Sequence, residues 1–245
     1  MKLTKEQKAA HKAAFRTMSP ADKLDYIMSY YKWPILLAVI LLLILGSAAR
    51  RQLTKKEPVI YLALADVVAG EDLENALTAG FLRAEGANPG RQEVYLYRDL
   101  YLSDEADVLN HEYAYASRMK LMGAVQAQKL DVVLMNREAY DLLSRSGYLL
   151  ELSPALFTEN AALYAQVLPI LSSNEVVLSD NNIEYQLGEA ETLEVETETV
   201  RNALDVSSLP LFARAGFPDA VYLGVIANSE RLANCIEFVS YVSGS

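Results

Sequence analysis

Apolar and polar positions divide the chain at one place. Trp33 to Ala49 is a run of 17 residues without a charge, bounded by Lys32 and Arg50, and ten of its members are Leu, Ile or Val. Each of those ten favours a bilayer centre by roughly 0.3–0.6 kcal/mol. A helix of this length covers about 26 Å, the lower limit for a hydrocarbon core about 30 Å thick. Tyr26, Tyr30, Tyr31 and Trp33 crowd its amino-terminal edge as interfacial aromatics, and Lys32 can snorkel to the headgroups. The pattern predicts a transmembrane helix over 33–49. Gly46-Ser47-Ala48-Ala49 offers small residues to a signal peptidase, but the 32 residues before the run are long for a signal peptide, so the expectation is an uncleaved anchor.

Before the anchor, residues 1–32 read as a basic helical arm: Thr4 to Thr17 is rich in Ala and Lys, and Ser19-Pro20-Ala21-Asp22 is a helix start. Residues 50–57 read as a polar linker ending at Pro58. From 58 to 245 the grammar changes to strand and helix in alternation. Val59 to Asp66 is an apolar run of strand length, Asp72 to Ala84 is helical, Glu93 to Leu102 is a strand, and Ala106 to Lys129 a long helix. Leu130 to Met135 is a third strand, and Arg137 to Ser146 a helix stopped at Gly147. Three such repeats are the pattern of parallel βαβ units.

The second half is less regular. Phe157 to Leu168 reads as a helix, Glu175 to Leu178 as a short strand, and Ile183 to Leu187 with Thr192 to Thr199 as a hairpin around Gly188. Glu194, Glu196 and Glu198 share one face of that last strand, an acidic, wetted surface that discourages edge pairing. Ala220 to Ala227 is a strand fit for burial, and Glu230 to Val242 a closing amphipathic helix.

Charge sharpens the division. Residues 1–57 carry 11 Lys and Arg against 4 Asp and Glu, while 58–245 carry 11 against 28. Seven of the basic residues precede the apolar run and four follow it closely, which favours a cytoplasmic amino terminus and an extracellular domain at the cell membrane. The basic arm suits an anionic inner leaflet, so the expected partner is the lipid bilayer and not nucleic acid.

Chemistry is sparse. His11 and His111 fall on opposite sides of the expected membrane, and the single Cys235 can complete neither a zinc set nor an internal disulfide, so no metal is expected. No nucleophile elbow, Walker loop or dinucleotide fingerprint occurs, so neither a cofactor nor an enzymatic activity is expected. His111, near Asp107 and Glu112, reads as a solvated helix residue. Fifteen tyrosines are present, with Tyr95, Tyr97, Tyr101, Tyr113 and Tyr115 concentrated in one stretch.

The stretch DVVLMNREAYDLLSRSGYLLELSPAL, Asp131 to Leu156, resembles the extracellular solute-binding proteins of ABC importers, and VYLGVIANSERLANCIEFVSYV, Val221 to Val242, is similar to the segment with which they return to their first lobe. The entry Tyr30-Tyr31-Lys32-Trp33-Pro34 also looks like that of short Gram-positive membrane proteins carrying such a domain. The resemblance implies an α/β fold class: a transmembrane helix followed by a periplasmic-binding-protein-like domain with a mostly parallel sheet. Only 64 residues separate Leu156 from Val221, which implies a reduced second lobe, and no lipidation cysteine stands at the amino-terminal side.

The implied function is capture of a small molecule or peptide for a membrane protein partner. The alternative is an interaction module of an envelope assembly that holds no ligand. In open α/β sheets a ligand sits beyond the carboxyl ends of parallel strands. Those ends make Asp66, Asp99, Asn136 and Arg137 the expected polar contacts, with Tyr101 or Tyr97 as an apolar wall. Asp66 and Asn136 can equally serve as caps of the helices that follow.

Overall fold

The computed structural model describes residues 19–54, 56–103, 111–158, 160–187 and 192–244. The helix expected over Thr4 to Thr17, residues Asp107 and Gly188, and the start of the helix expected from Ala106 lie outside them. The chain divides into two compact units, Met1–Lys55 and Lys56–Ser245.

In the first unit a single helix, α1 (Pro20–Thr54), starts at the expected Pro20 and runs through Pro34 and most of the expected linker. The expectation of a transmembrane helix is overturned: among the described residues no helix is long and apolar enough to cross a membrane. The uncharged run between Lys32 and Arg50 is 17 residues, about 26 Å of helix, at the lower limit for a crossing. Within that run the large apolar side chains from Trp33 to Leu45 are exposed.

The second unit is a six-stranded sheet with helices on both faces. Its elements are β1 (Glu57–Ala65), α2 (Glu71–Asn75), α3 (Phe81–Ala84), β2 (Gln92–Leu100), α4 (His111–Gln126), β3 (Val132–Met135) and α5 (Arg137–Arg145). They continue with α6 (Ala161–Val167), β4 (Leu171–Asp180), α7 (Asn182–Gln186), β5 (Val195–Asp205), α8 (Pro210–Ala213), β6 (Tyr222–Val225) and α9 (Leu232–Ser243). Gly147, with φ +69°, follows α5 in the left-handed conformation expected of a helix stop.

The strand order is β2-β1-β3-β6-β5-β4. The β1–β2 and β1–β3 pairs are parallel, whereas β3–β6, β6–β5 and β5–β4 are antiparallel. The expectation of a periplasmic-binding-like domain with a mostly parallel sheet is therefore corrected to one mixed α/β sheet. The reduced second lobe is also absent among the described residues, because β4 and β5 extend the same sheet. The βαβ crossovers of the first half give parallel neighbours, whereas β6 enters antiparallel to β3 and β5 lies antiparallel to both β6 and β4. The hairpin expected around Gly188 is replaced by β4 pairing β5, and Ile183 to Leu187 is mostly helix.

Alternation along the strands fills both sides. Ile60, Leu62 and Leu64 of β1 join Leu77, Phe81, Phe157, Phe238 and Val239 in one core, while Ala63 and Ala65 join Leu121, Val133, Tyr140 and Leu143 in the other. Burial on both faces is why β1 and β3 read as continuous apolar runs. Between α2 and α3 a π turn (Ala76–Gly80) presents the Ala76 carbonyl to the Tyr241 hydroxyl at 2.9 Å. Gly80 makes room, since a Cβ there would lie 2.6 Å from that hydroxyl oxygen.

One buried charge ties these layers together. Asp131, fully buried just before β3, accepts the Tyr61 N–H (2.8 Å) and the Arg231 guanidinium (2.8 Å) on one carboxylate oxygen and the Ser229 hydroxyl (2.6 Å) on the other. Arg231 also lies 4.8 Å above the Tyr61 ring and donates to the Gln128 carbonyl. Nearby, burial pushes the Cys235 thiol up to about 12. Removing one member of a buried ion pair strands the other, so Asp131→Ala is expected to cost about 3–5 kcal/mol, read as a lowered denaturation midpoint at unchanged m-value.

Candidate functional site

The carboxyl ends of the three parallel-paired strands meet in one cleft of about 530 Å³. Asp66 follows β1, Asp99 and Tyr101 close β2, and Asn136 follows β3; all four line it together with Ser103, Tyr113, Glu138 and Asp219. Strand register explains the convergence: Ala65 sits beside both Leu100 and Met135. Arg137 is not brought to the cleft. Its guanidinium pairs with Asp141 at 3.0 Å and covers the Tyr140 and Tyr222 rings at 5.5 and 5.9 Å. Tyr97 is likewise elsewhere, stacked with Tyr61 at a centroid distance of 6.4 Å and edge-on to Tyr95 at 4.9 Å.

Two of the cleft's acids hold an unusual backbone. Asp66 and Asp99 have φ of +52° and +57°, a left-handed conformation that costs roughly 1–2 kcal/mol for a side-chain-bearing residue and is most accessible to Asn and Asp. At Asp99 the cause is a register shift, since Ala63 faces Tyr97 but Ala65 faces Leu100, leaving the extra residue in β2. The Tyr113 hydroxyl donates to the Asp99 carbonyl at 2.6 Å and holds the bulged strand end against α4. Arg118 of α4 donates twice to the Leu102 carbonyl, at 2.6 and 3.2 Å, securing the segment that follows.

Asp66 is not a helix cap. One carboxylate oxygen accepts the Leu102 N–H at 2.9 Å, bridging the ends of β1 and β2, and the other is buried with no hydrogen-bond partner among the described residues. Burial raises its pKa above the usual carboxylate range and Glu138 adds to the rise, while the Leu102 and Ser103 N–H groups and Arg118 oppose it. Asn136 does cap, its side chain accepting the Ala139 N–H at 2.9 Å at the start of α5, and it lines the cleft as well.

Sequence reasoning missed Ser103, Tyr113, Glu138 and Asp219. Glu138 could have been found, because it stands in the first turn after a strand-end Asn. Tyr113 lies in the tyrosine-rich stretch but carried no positional signal, and Asp219 lies in a loop brought in from far along the chain. The described lining residues include carboxylates, hydroxyls and aromatic rings but no Lys, Arg or His. Such a set can solvate positive charge. Among the described residues no group of three or more His, Cys, Asp or Glu is placed to hold a metal ion. No family model, curated protein or solved structure matches the chain.

Two outcomes check this geometry. Asp66→Asn keeps the acceptor for Leu102 and tolerates the left-handed backbone. A raised carboxyl pKa favours the fold while protonated, and that contribution is lost as pH rises through the folded-state pKa. The variant is therefore expected to melt about 2–4 °C above wild type at pH 7, with the gain shrinking toward pH 4. At Asp99, Gly is expected to be tolerated whereas Val costs about 1–2 kcal/mol, measured by denaturant unfolding.

Proposed function

We propose that the second unit is a binding domain that captures a small, positively charged solute, an amine or a short basic peptide, in the cleft at Asp66, Asp99 and Asn136. The observation that carries this reading is the buried oxygen of Asp66 that has no hydrogen-bond partner among the described residues, in a cleft whose described lining holds three further carboxylates and no Lys, Arg or His. An ammonium group would supply the missing hydrogen bond and counter the desolvation that raises the Asp66 pKa. Tyr101 and Tyr113 would add ring faces to a cation held between them. The strained backbone at Asp66 and Asp99 fits a site where conformation is kept for binding at the expense of stability.

The role is capture without turnover, on behalf of a membrane protein partner. A lipid bilayer is the partner we assign to α1, whose exposed Trp33 and Leu, Ile and Val side chains through Leu45 supply an apolar surface for attachment.

The test is thermal-shift and calorimetric titration of the full chain against spermidine, arginine, lysyl dipeptides, neutral sugars and dicarboxylates. At a hundredfold excess over Kd, a ligand of the cationic set is expected to stabilise by about 2.7 kcal/mol, a rise of roughly 5–10 °C. The shift should vanish in Asp66→Asn. Silence from every cation, or binding indifferent to that substitution, would overturn the reading.

A further inference from the structure

The ribbon formed by β4 and β5 reaches past the sheet that carries it. The two strands pair from Leu171 and Leu204 out to Asp180 and Val195, but β6 pairs β5 only at Leu204 and Asp205. The root is fixed by a buried polar network. The Tyr140 hydroxyl donates to the Asn202 side-chain oxygen (2.8 Å), Asn202 donates to the Ser144 hydroxyl (2.7 Å), and Ser144 donates to the Glu175 carbonyl (2.9 Å). Leu152 donates its N–H to the Arg201 carbonyl at 2.7 Å from the other side.

The far end is built as well. Asn181 accepts the Glu194 N–H on its side-chain oxygen (2.7 Å) and donates its amide to the Thr192 carbonyl (2.9 Å), closing the ribbon below α7. Toward the far end several large apolar side chains are exposed. Ile183 is 71 %, Leu187 68 %, Leu178 56 % and Leu193 51 % exposed. Contiguous apolar surface of this kind on an ordered element marks a contact site for another molecule.

Charge selects the occupant. Residues 171–200 hold eight Asp and Glu and no Lys or Arg. Val195 and Thr197 share one face of β5 while Glu194, Glu196 and Glu198 share the other, where the Ser179 hydroxyl donates to Glu196 at 3.1 Å. A second copy of the ribbon would set eight carboxylates against eight, and an anionic bilayer would repel it. A protein surface with an apolar centre and a Lys- or Arg-rich rim complements it on both counts.

We propose that the β4–β5 ribbon is a docking arm for a partner protein, inserting Ile183, Leu187 and Leu193 into an apolar patch while Glu194, Glu196 and Glu198 meet its basic rim. The arm is separate from the cleft and does not depend on the cleft binding a solute.

A photo-crosslinking amino acid placed at Ile183 or Leu193, with Arg214 on the exposed body as control, tests this in the full chain within the cells that produce it. The expected result is an adduct with one other protein from both arm positions and none from the control. Its yield should fall about tenfold in Glu194→Gln/Glu196→Gln/Glu198→Gln, and similarly when extracts are brought to about 0.5 M salt before irradiation. Those three side chains are exposed, so the triple variant should retain the wild-type melting curve. Asp66→Asn should leave the adduct intact. Crosslinks to a second copy or to lipid, an adduct insensitive to the triple substitution, or no adduct at all would overturn the proposal.

Discussion

The carboxylate of Asp131 is the constraint on which the domain's geometry depends. A charge with no solvent exposure is tolerable only if donors surround it, and here they come from three places in the chain: the Tyr61 N–H of β1, the Ser229 hydroxyl after β6, and the Arg231 guanidinium ahead of α9. Satisfying one group thus locks the register of β1 against β3 and fixes where the final helix is laid. The backbone agrees, since the Asp131 N–H donates to the Tyr61 carbonyl and its own carbonyl accepts from Ile226. This node stands at the amino end of β3. The same register brings Asp66 and Asn136 level at the other end, where the cleft opens.

At that end the domain spends some stability on shape. Two acids in left-handed backbone, a bulge in β2 and a carboxylate oxygen without a partner are each unfavourable. They persist because Tyr113, Arg118 and the Leu102 N–H over-determine the strand ends. The ribbon on the far edge follows the opposite logic. Its root is fully hydrogen-bonded through Tyr140, Asn202 and Ser144, and what it leaves unsatisfied is apolar surface at the tip. One feature suits a small solute and the other a macromolecular surface.

Much of the fold was legible along the chain. Strands buried on both faces announce themselves as unbroken apolar runs, so Val59 to Asp66 and Leu130 to Met135 marked β1 and β3. Strand ends could be read with them, and Asp66, Asp99, Tyr101 and Asn136 stand there around one cleft. Arg137 misled because position on a helix start does not fix the direction of a long side chain; Tyr140, Tyr222 and Asp141 drew it away. Residues 182–186 misled because a five-residue apolar-polar stretch fits helix and strand alike, and it forms a helix. The uncharged run from Trp33 suggested a crossing because its composition is apolar, yet among the described residues no helix is both long and apolar enough to cross a membrane.

The sequence by itself determined the division between a basic, apolar amino-terminal helix and an acidic α/β domain, the alternation of strands and helices in that domain's first half, and the residues at the strand ends. These are local properties, encoded in periodicity, charge and helix punctuation over a few turns. Only the tertiary structure decided that β4 and β5 join the first sheet, that Glu138, Tyr113 and Asp219 complete the cleft, and that Asp131 holds the frame. Each of those depends on pairing across tens to a hundred residues, where the choice among partners is made by buried hydrogen bonds and charges competing for the same few positions.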